Sequence, residues 1–248
     1  MRREWHEVRS SGSGMPGTVI SYGHWGRPIL AFPAEQGSAS DFERRGMVDA
    51  IADLIDAGRV KLYCADSYDG HSWARYDLPL EERAWRHGQY ESWVIDGVVP
   101  FVRGDCGGAA EMITTGCSLG AYHAVNFALK RADLFPLAIG LSGNYDPAAW
   151  RAWGERGDAV YFNNPGDYVA NADGSHLDWL RSQVSVLLVV GQGAWETDPT
   201  GALPSSRRLA ALLQGKGIRC ELDLWGDDAA HDWPWWCRQL AHHLPRFC

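Results

Sequence analysis

Two kinds of hydrophobic pattern alternate along the chain. Residues 3 to 10 (REWHEVRS) and 16 to 23 (PGTVISYG) alternate in character on either side of the break SSGSGM, which predicts an antiparallel hairpin. From Ile29 the pattern changes to continuous apolar runs of the kind that strands show when both their faces are buried. These are Ile29 to Phe32, Val60 to Ala65, the short run Met112 to Thr115, Leu134 to Gly143, and Val184 to Val190, the most apolar of all. A last strand with alternating Cys220, Leu222 and Leu224 runs from Ile218 to Trp225. Segments of helical spacing separate them: Asp41 to Ile55, Leu80 to Val102, Ala121 to Leu129, Ser205 to Gln214 closed by Gly215 and Gly217, and the stretch after Pro234. Strands alternating with helices predict an α/β fold with a mostly parallel central sheet of about eight strands and helices on both faces.

One segment breaks the alternation. Residues 144 to 178 are rich in Gly, Asn, Asp and aromatics and lack a period, which suggests an irregular insertion over the sheet end serving as lid or pocket wall. No repeat or low-complexity linker divides the 248 residues, so a single domain is expected. The net charge of −8 is spread along the chain rather than blocked, which argues against nucleic-acid and anionic-membrane partners. The oligomeric state is left open. The six cysteines have no zinc-like spacing, so free thiols, no metal site and a reducing compartment are expected. The first residues lack the apolar core of a signal peptide and no run approaches a membrane span, which points to a cytoplasmic protein. Thirteen tryptophans are many for this length; most suit core packing, and the others suit the wall of an apolar pocket.

Between Thr115 and Ala121 the chain reads Gly116-Cys117-Ser118-Leu119-Gly120, a G-x-S-x-G motif passing from predicted strand to predicted helix. A turn that tight holds the serine at strained backbone angles, and the glycines leave room for strand and helix to touch. Ser118 is then a candidate nucleophile, and the Leu119 N–H at the helix start a candidate oxyanion donor. A second donor is expected from the loop after Phe32, with Ala34 N–H first and Glu35 and Gln36 close behind. A serine hydroxyl is a weak nucleophile near neutral pH and requires a base, which in turn requires an acid to fix its tautomer. Loops after later strands offer Glu196 or Asp198 and then His231. The order Ser, acid, His is that of an α/β-hydrolase triad. His71 is a rival base, but it precedes the serine and reads better as a loop or pocket residue. Gln36, Asp66, Ser72, Trp73, Trp195 and Trp233 are further expected pocket residues. Trp and Tyr walls suit an aromatic or acyl group, whereas Asp66, Asp69 and Asn164 suit a sugar.

At FPAEQG (32 to 37), DSYDGHSW (66 to 73), GCSLGAYHA (116 to 124), GQGAWE (191 to 196) and HDWPWW (231 to 236), the chain resembles the putative-esterase family of α/β-hydrolases. That family includes esterase D-like enzymes, carbohydrate esterases and mycolyltransferases. The resemblance implies Glu196 as the acid, counted from Gly193, with Asp198 as the alternative, and an oxyanion hole of the Leu119 N–H and a backbone N–H near Ala34. The loop after Phe32 departs from the His-Gly-Gly pattern of lipases. The function expected is a serine carboxylesterase acting on a small-molecule ester through an acyl-enzyme on Ser118, with no cofactor. The alternatives are acyl transfer by the same triad and a catalytically silent fold that binds a ligand in its pocket.

Overall fold

The computed structural model describes residues 1–12, 14–108 and 111–248. Eight strands form one sheet in the order β1-β2-β4-β3-β5-β6-β7-β8. They are β1 (Arg3–Arg9), β2 (Pro16–Tyr22), β3 (Arg27–Phe32), β4 (Val60–Ala65), β5 (Ile113–Cys117), β6 (Leu137–Leu141), β7 (Ser185–Val190) and β8 (Arg219–Leu224). β1 and β2 pair antiparallel, as do β2 and β4, and every other pairing is parallel. The central strands are buried almost throughout, while β1 and β8 at the edges alternate with solvent.

Alternation within the buried strands divides the core into two layers. Leu30, Phe32, Val186 and Leu188 face a layer closed by helices Leu80–Trp93, Leu119–Lys130 and Ala202–Gly215. Ile29, Ala31, Leu187 and Val189 face the opposite layer with Phe42, Met47, Ile51 and the final helix Trp233–His243. Parallel strands need both faces covered, and the continuous apolar runs supply both.

The helices differ from expectation in two places. The segment predicted as one helix from Asp41 to Ile55 is broken into Asp41–Arg44, Met47–Ala50 and Ala52–Asp56, interrupted at Gly46, where φ is 83°. The helix expected over 80 to 102 continues to Asp105 but contains a π turn at Val94–Val98. Pro100 follows that turn; it has no N–H to give the Asp96 carbonyl, and its ring crowds the preceding turn. The Ser11 hydroxyl donates to the freed Asp96 oxygen at 3.3 Å. The segment 144 to 178 contains the short helices Asp158–Tyr161 and Pro165–Ala170 and the start of Gly174–Gln183.

Connectivity determines where a ligand can enter. The chain leaves β3 for β4 on one side and returns to β5 on the other, so the loops after β3 and β5 diverge from neighbouring strands. Open α/β sheets bind ligands at such a switch point. Phe32 is in register with Gly116 there. The approach is close: a Cβ on Gly120 would lie 2.2 Å from the Pro33 carbonyl oxygen and 2.3 Å from that of Phe32.

That contact predicts an effect opposite to helix propensity. Alanine is favoured over glycine inside a helix by about 1 kcal/mol, but the Gly120→Ala methyl meets backbone that no rotamer change can move. Overpacking of this kind costs about 1–3 kcal/mol or more. Urea denaturation of Gly120→Ala should therefore show net destabilisation of about 2 kcal/mol, and a midpoint at or above that of the parent would contradict the packing described.

Candidate active site

Ser118 ends the turn between β5 and the helix Leu119–Lys130 with φ 56° and ψ −119°. This is backbone that a side chain rarely adopts, at a typical cost of about 1–3 kcal/mol. What holds it there is local. The Ser118 N–H donates to the Leu141 carbonyl at 2.9 Å, tying the turn to β6. Gly116 lies against the Gly120 carbonyl oxygen, which a Cβ would approach to 2.2 Å.

His231 and Glu196 arrive from the loops after β8 and β7. Ser118 Oγ lies 2.9 Å from His231 Nε2, and His231 Nδ1 lies 3.1 Å from Glu196 Oε2. An ionised carboxylate only accepts, so Nδ1 carries the ring proton and Nε2 is left to accept from the Ser118 hydroxyl. The two loops are joined by backbone bonds: His231 N–H donates to the Ala194 carbonyl and Gly193 N–H to that of Ala229, each at 2.9 Å. Gly191 lets them approach, since its Cβ would sit 2.0 Å from the Ala229 oxygen.

Glu196 has no exposure to solvent. Its Oε1 accepts from the Ser142 hydroxyl at 2.6 Å and from the Gly191 N–H at 3.2 Å, so three donors surround it once His231 is counted. Ser142, itself buried and at φ 54°, is absent from the residues picked out by sequence. The available signal was the Ser-Gly pair directly after β6, the strand that lies beside β7. Asp198 lies on the cavity wall, exposed, and makes no hydrogen bond to His231. Exposed His71 packs at a tilt against Tyr68, ring centroids 4.7 Å apart. Trp236 packs edge-on against the His231 ring at 5.0 Å. Burial pushes the adjacent Cys117 thiol well above its ordinary value, which keeps it protonated and a poor nucleophile.

Among the described residues, the Leu119, Ala34 and Glu35 N–H groups donate to no protein acceptor. The Gln36 N–H is engaged by Asp69 Oδ2 at 3.2 Å. Glu35 and Leu119 line the cavity at Ser118, whereas Ala34 packs toward the core on the other side.

This cavity is about 460 Å³ in volume. Besides Ser118 and His231 its walls include Trp73, Tyr76, Ser142, Asn144, Trp150, Arg151 and residues 197 to 201. The segment after β6 thus contributes one wall through Asn144, Ala149, Trp150 and Arg151. Tyr76 donates to Glu35 Oε1 at 2.6 Å, and the Arg83 and Arg151 guanidinium groups lie over its ring at 4.9 and 5.1 Å. Burial pushes the Arg83 guanidinium below its ordinary value.

Of the expected pocket residues, Trp73 is on the wall and the others lie outside it. Asp66 turns away because its two oxygens accept the Thr18 and Ala39 N–H groups, at 2.8 and 2.9 Å. Ser72 is buried and donates to the Tyr68 carbonyl at 3.0 Å. Gln36 is held by its backbone at Asp69, Trp195 is 62% exposed, and Trp233 packs edge-on against Phe42 and Trp236 at 5.6 and 5.3 Å. Asn164 caps a short helix by accepting from Gly166 N–H, and Asp69 is buried behind the loop after β3. No helix among the described residues is long and apolar enough to cross a membrane.

Solved structures share this fold at low sequence identity. A ferulic acid esterase superposes with a TM-score of 0.73 at 16% identity, covering 99% of this chain and 96% of its own. MPT51 from Mycobacterium tuberculosis gives 0.74 at 16% identity, with 99% and 97% covered. An S-formylglutathione hydrolase from Agrobacterium tumefaciens gives 0.73 at 14% identity, with 98% and 93% covered. The fold is accordingly that of the α/β-hydrolases. A search of curated proteins by sequence finds no match. The family model described as Putative esterase matches residues 30–247, and the chain belongs to that family.

Proposed function

We propose that the protein is a serine carboxylesterase that hydrolyses a small-molecule ester through an acyl-enzyme on Ser118. The observation that carries this reading is the unbroken hydrogen-bonded line from Ser118 Oγ through His231 to buried Glu196, at 2.9 and 3.1 Å. Membership of an esterase family supports the ester as substrate.

The chemistry follows from the protonation pattern. Ser118 Oγ attacks the ester carbonyl carbon while its proton passes to His231 Nε2, and the carbonyl π electrons move onto oxygen. Glu196 holds the imidazolium that results, without itself taking the proton. The oxyanion is met by the Leu119 N–H and by an N–H of the Ala34–Glu35 turn, of which Glu35 is the one on the cavity wall. Collapse of the adduct expels the alcohol, which takes the proton from Nε2. Water then gives a proton to Nε2 and attacks the acyl carbon. The acid leaves, and the proton returns to Ser118. A cavity of about 460 Å³ walled by Trp73, Tyr76 and Trp150 suits an aromatic or medium-sized acyl ester.

Ser118→Ala removes the nucleophilic oxygen and little else. Hydrolysis of 4-nitrophenyl acetate should fall by about 10³-fold or more, with the folded structure kept by circular dichroism; a mutant as active as the parent would overturn the serine mechanism.

The two carboxylates make a sharper test. Glu196→Gln removes the charge that holds the His231 tautomer, so kcat should drop by about 10³- to 10⁴-fold. Asp198→Asn, on an exposed side chain that does not touch His231, should stay within about threefold of the parent. A larger kcat loss for Asp198→Asn than for Glu196→Gln would reverse the assignment.

A further inference from the structure

The loop after β3 makes a turn from Ala34 to Gly37, closed by the Gly37 N–H donating to the Ala34 carbonyl at 2.9 Å. Its third residue, Gln36, sits at φ 55°, where turns favour glycine. With a side chain at that position, the peptide between Glu35 and Gln36 is prone to flip, and a flip would move the N–H groups beside it. Something must hold the turn.

The Gln36 N–H donates to Asp69 Oδ2 at 3.2 Å. Asp69, in the turn after β4, is fully buried. Its other oxygen faces His123 Nε2 at 2.9 Å. His123 is 1% exposed and stands on the helix that begins at Leu119. The rings of His87, Phe32 and Phe127 pack around it at 5.2, 5.9 and 6.5 Å. One carboxylate thus ties the loop carrying Glu35 to the helix carrying Leu119.

We infer that Asp69 is a positioning residue for the reaction at Ser118: its carboxylate, anchored by His123, holds the Ala34–Gly37 turn so that the loop N–H and the Leu119 N–H converge on one oxyanion. The inference rests on the proposed esterase reading and adds to it a residue that never touches substrate. Removing the carboxylate frees the turn while leaving the Ser118 elbow, His231 and Glu196 in place. The bound ester carries no oxyanion, which develops only in the transition state and the tetrahedral adduct, so the loss belongs in kcat rather than KM.

Asparagine at the same position preserves the arrangement. Its amide oxygen can accept from Gln36, and its NH₂ can donate to His123 Nε2 once the ring proton moves to Nδ1. That nitrogen has no protein partner among the described residues, so the tautomer change breaks no bond.

The test compares Asp69→Ala and Asp69→Asn with the parent and Ser118→Ala. Hydrolysis of 4-nitrophenyl acetate is measured per active site titrated with a fluorophosphonate, together with inhibition by 2,2,2-trifluoroacetophenone, whose serine adduct carries an oxyanion. Asp69→Ala should lose about 10²-fold in kcat, the effect of one misplaced donor, with KM within about threefold and the ketone weakened by a similar factor to kcat. Asp69→Asn should remain within about fivefold of the parent in all three, because both hydrogen bonds survive. Parent-like kcat per titrated site in Asp69→Ala overturns the inference, as does a loss confined to thermal stability and active fraction. If Asp69→Ala does not fold, His123→Leu replaces it and should lose about tenfold in kcat with KM kept; parent-like kcat there overturns the inference equally. A parent enzyme that neither hydrolyses the ester nor labels at Ser118 overturns the reading of the site, and the positioning role with it. An active parent, a silent Ser118→Ala and a normal Asp69→Ala overturn the positioning role alone.

Discussion

The contact between two glycines underlies the rest of the site. Ser118 is held at φ 56° because β5 and the following helix approach until Gly116 touches the Gly120 carbonyl, while Gly120 touches the carbonyls of Phe32 and Pro33. The second of these contacts matters as much as the first. It brings the loop after β3 against the start of the helix, so Glu35 and Leu119, whose N–H groups have no protein acceptor among the described residues, line the same cavity as Ser118. Backbone strain of about 1–3 kcal/mol at Ser118 is offset by the two core layers that fix β3 and β5 side by side.

Electrostatics build on that geometry. A buried carboxylate is costly unless its oxygens are satisfied, and the effective penalty for a buried ion is several kcal/mol. Glu196 has donors from Ser142, Gly191 and His231, which leave it directed at the imidazole. Asp69 is a second buried carboxylate on the other side of Ser118, satisfied by Gln36 and His123. The two buried side chains have different partners. On the reading proposed above, Glu196 orients the base and Asp69 holds the loop opposite it.

Much of this was legible in the sequence, and the part that was not has a common cause. The succession of strands along the chain, the G-x-S-x-G turn and the loops holding Glu196 and His231 follow from periodicity and chain direction, because a parallel strand's carboxyl end is fixed by its polarity. The direction of a side chain within a loop is not encoded that way. Asp66 and Asp69 are close in sequence on one loop, yet one staples β2 to the segment near Ala39 and the other reaches the interior behind Gln36. Tyr76, Trp150 and Arg151 reach the cavity wall from distant loops, and Ser142 meets Glu196 only because β6 and β7 are neighbours in the sheet. Trp195 and Trp233 adjoin Glu196 and His231 in sequence but point elsewhere.

The claim that Ser118 carries the acyl group is tested most directly by intact-protein mass spectrometry during turnover of 4-nitrophenyl acetate, quenched in acid and followed by peptide mapping. The account predicts a transient mass gain of one acetyl group located on Ser118 and absent from Ser118→Ala. Steady hydrolysis with no acetyl group at Ser118, or with the same adduct in the alanine variant, would contradict it.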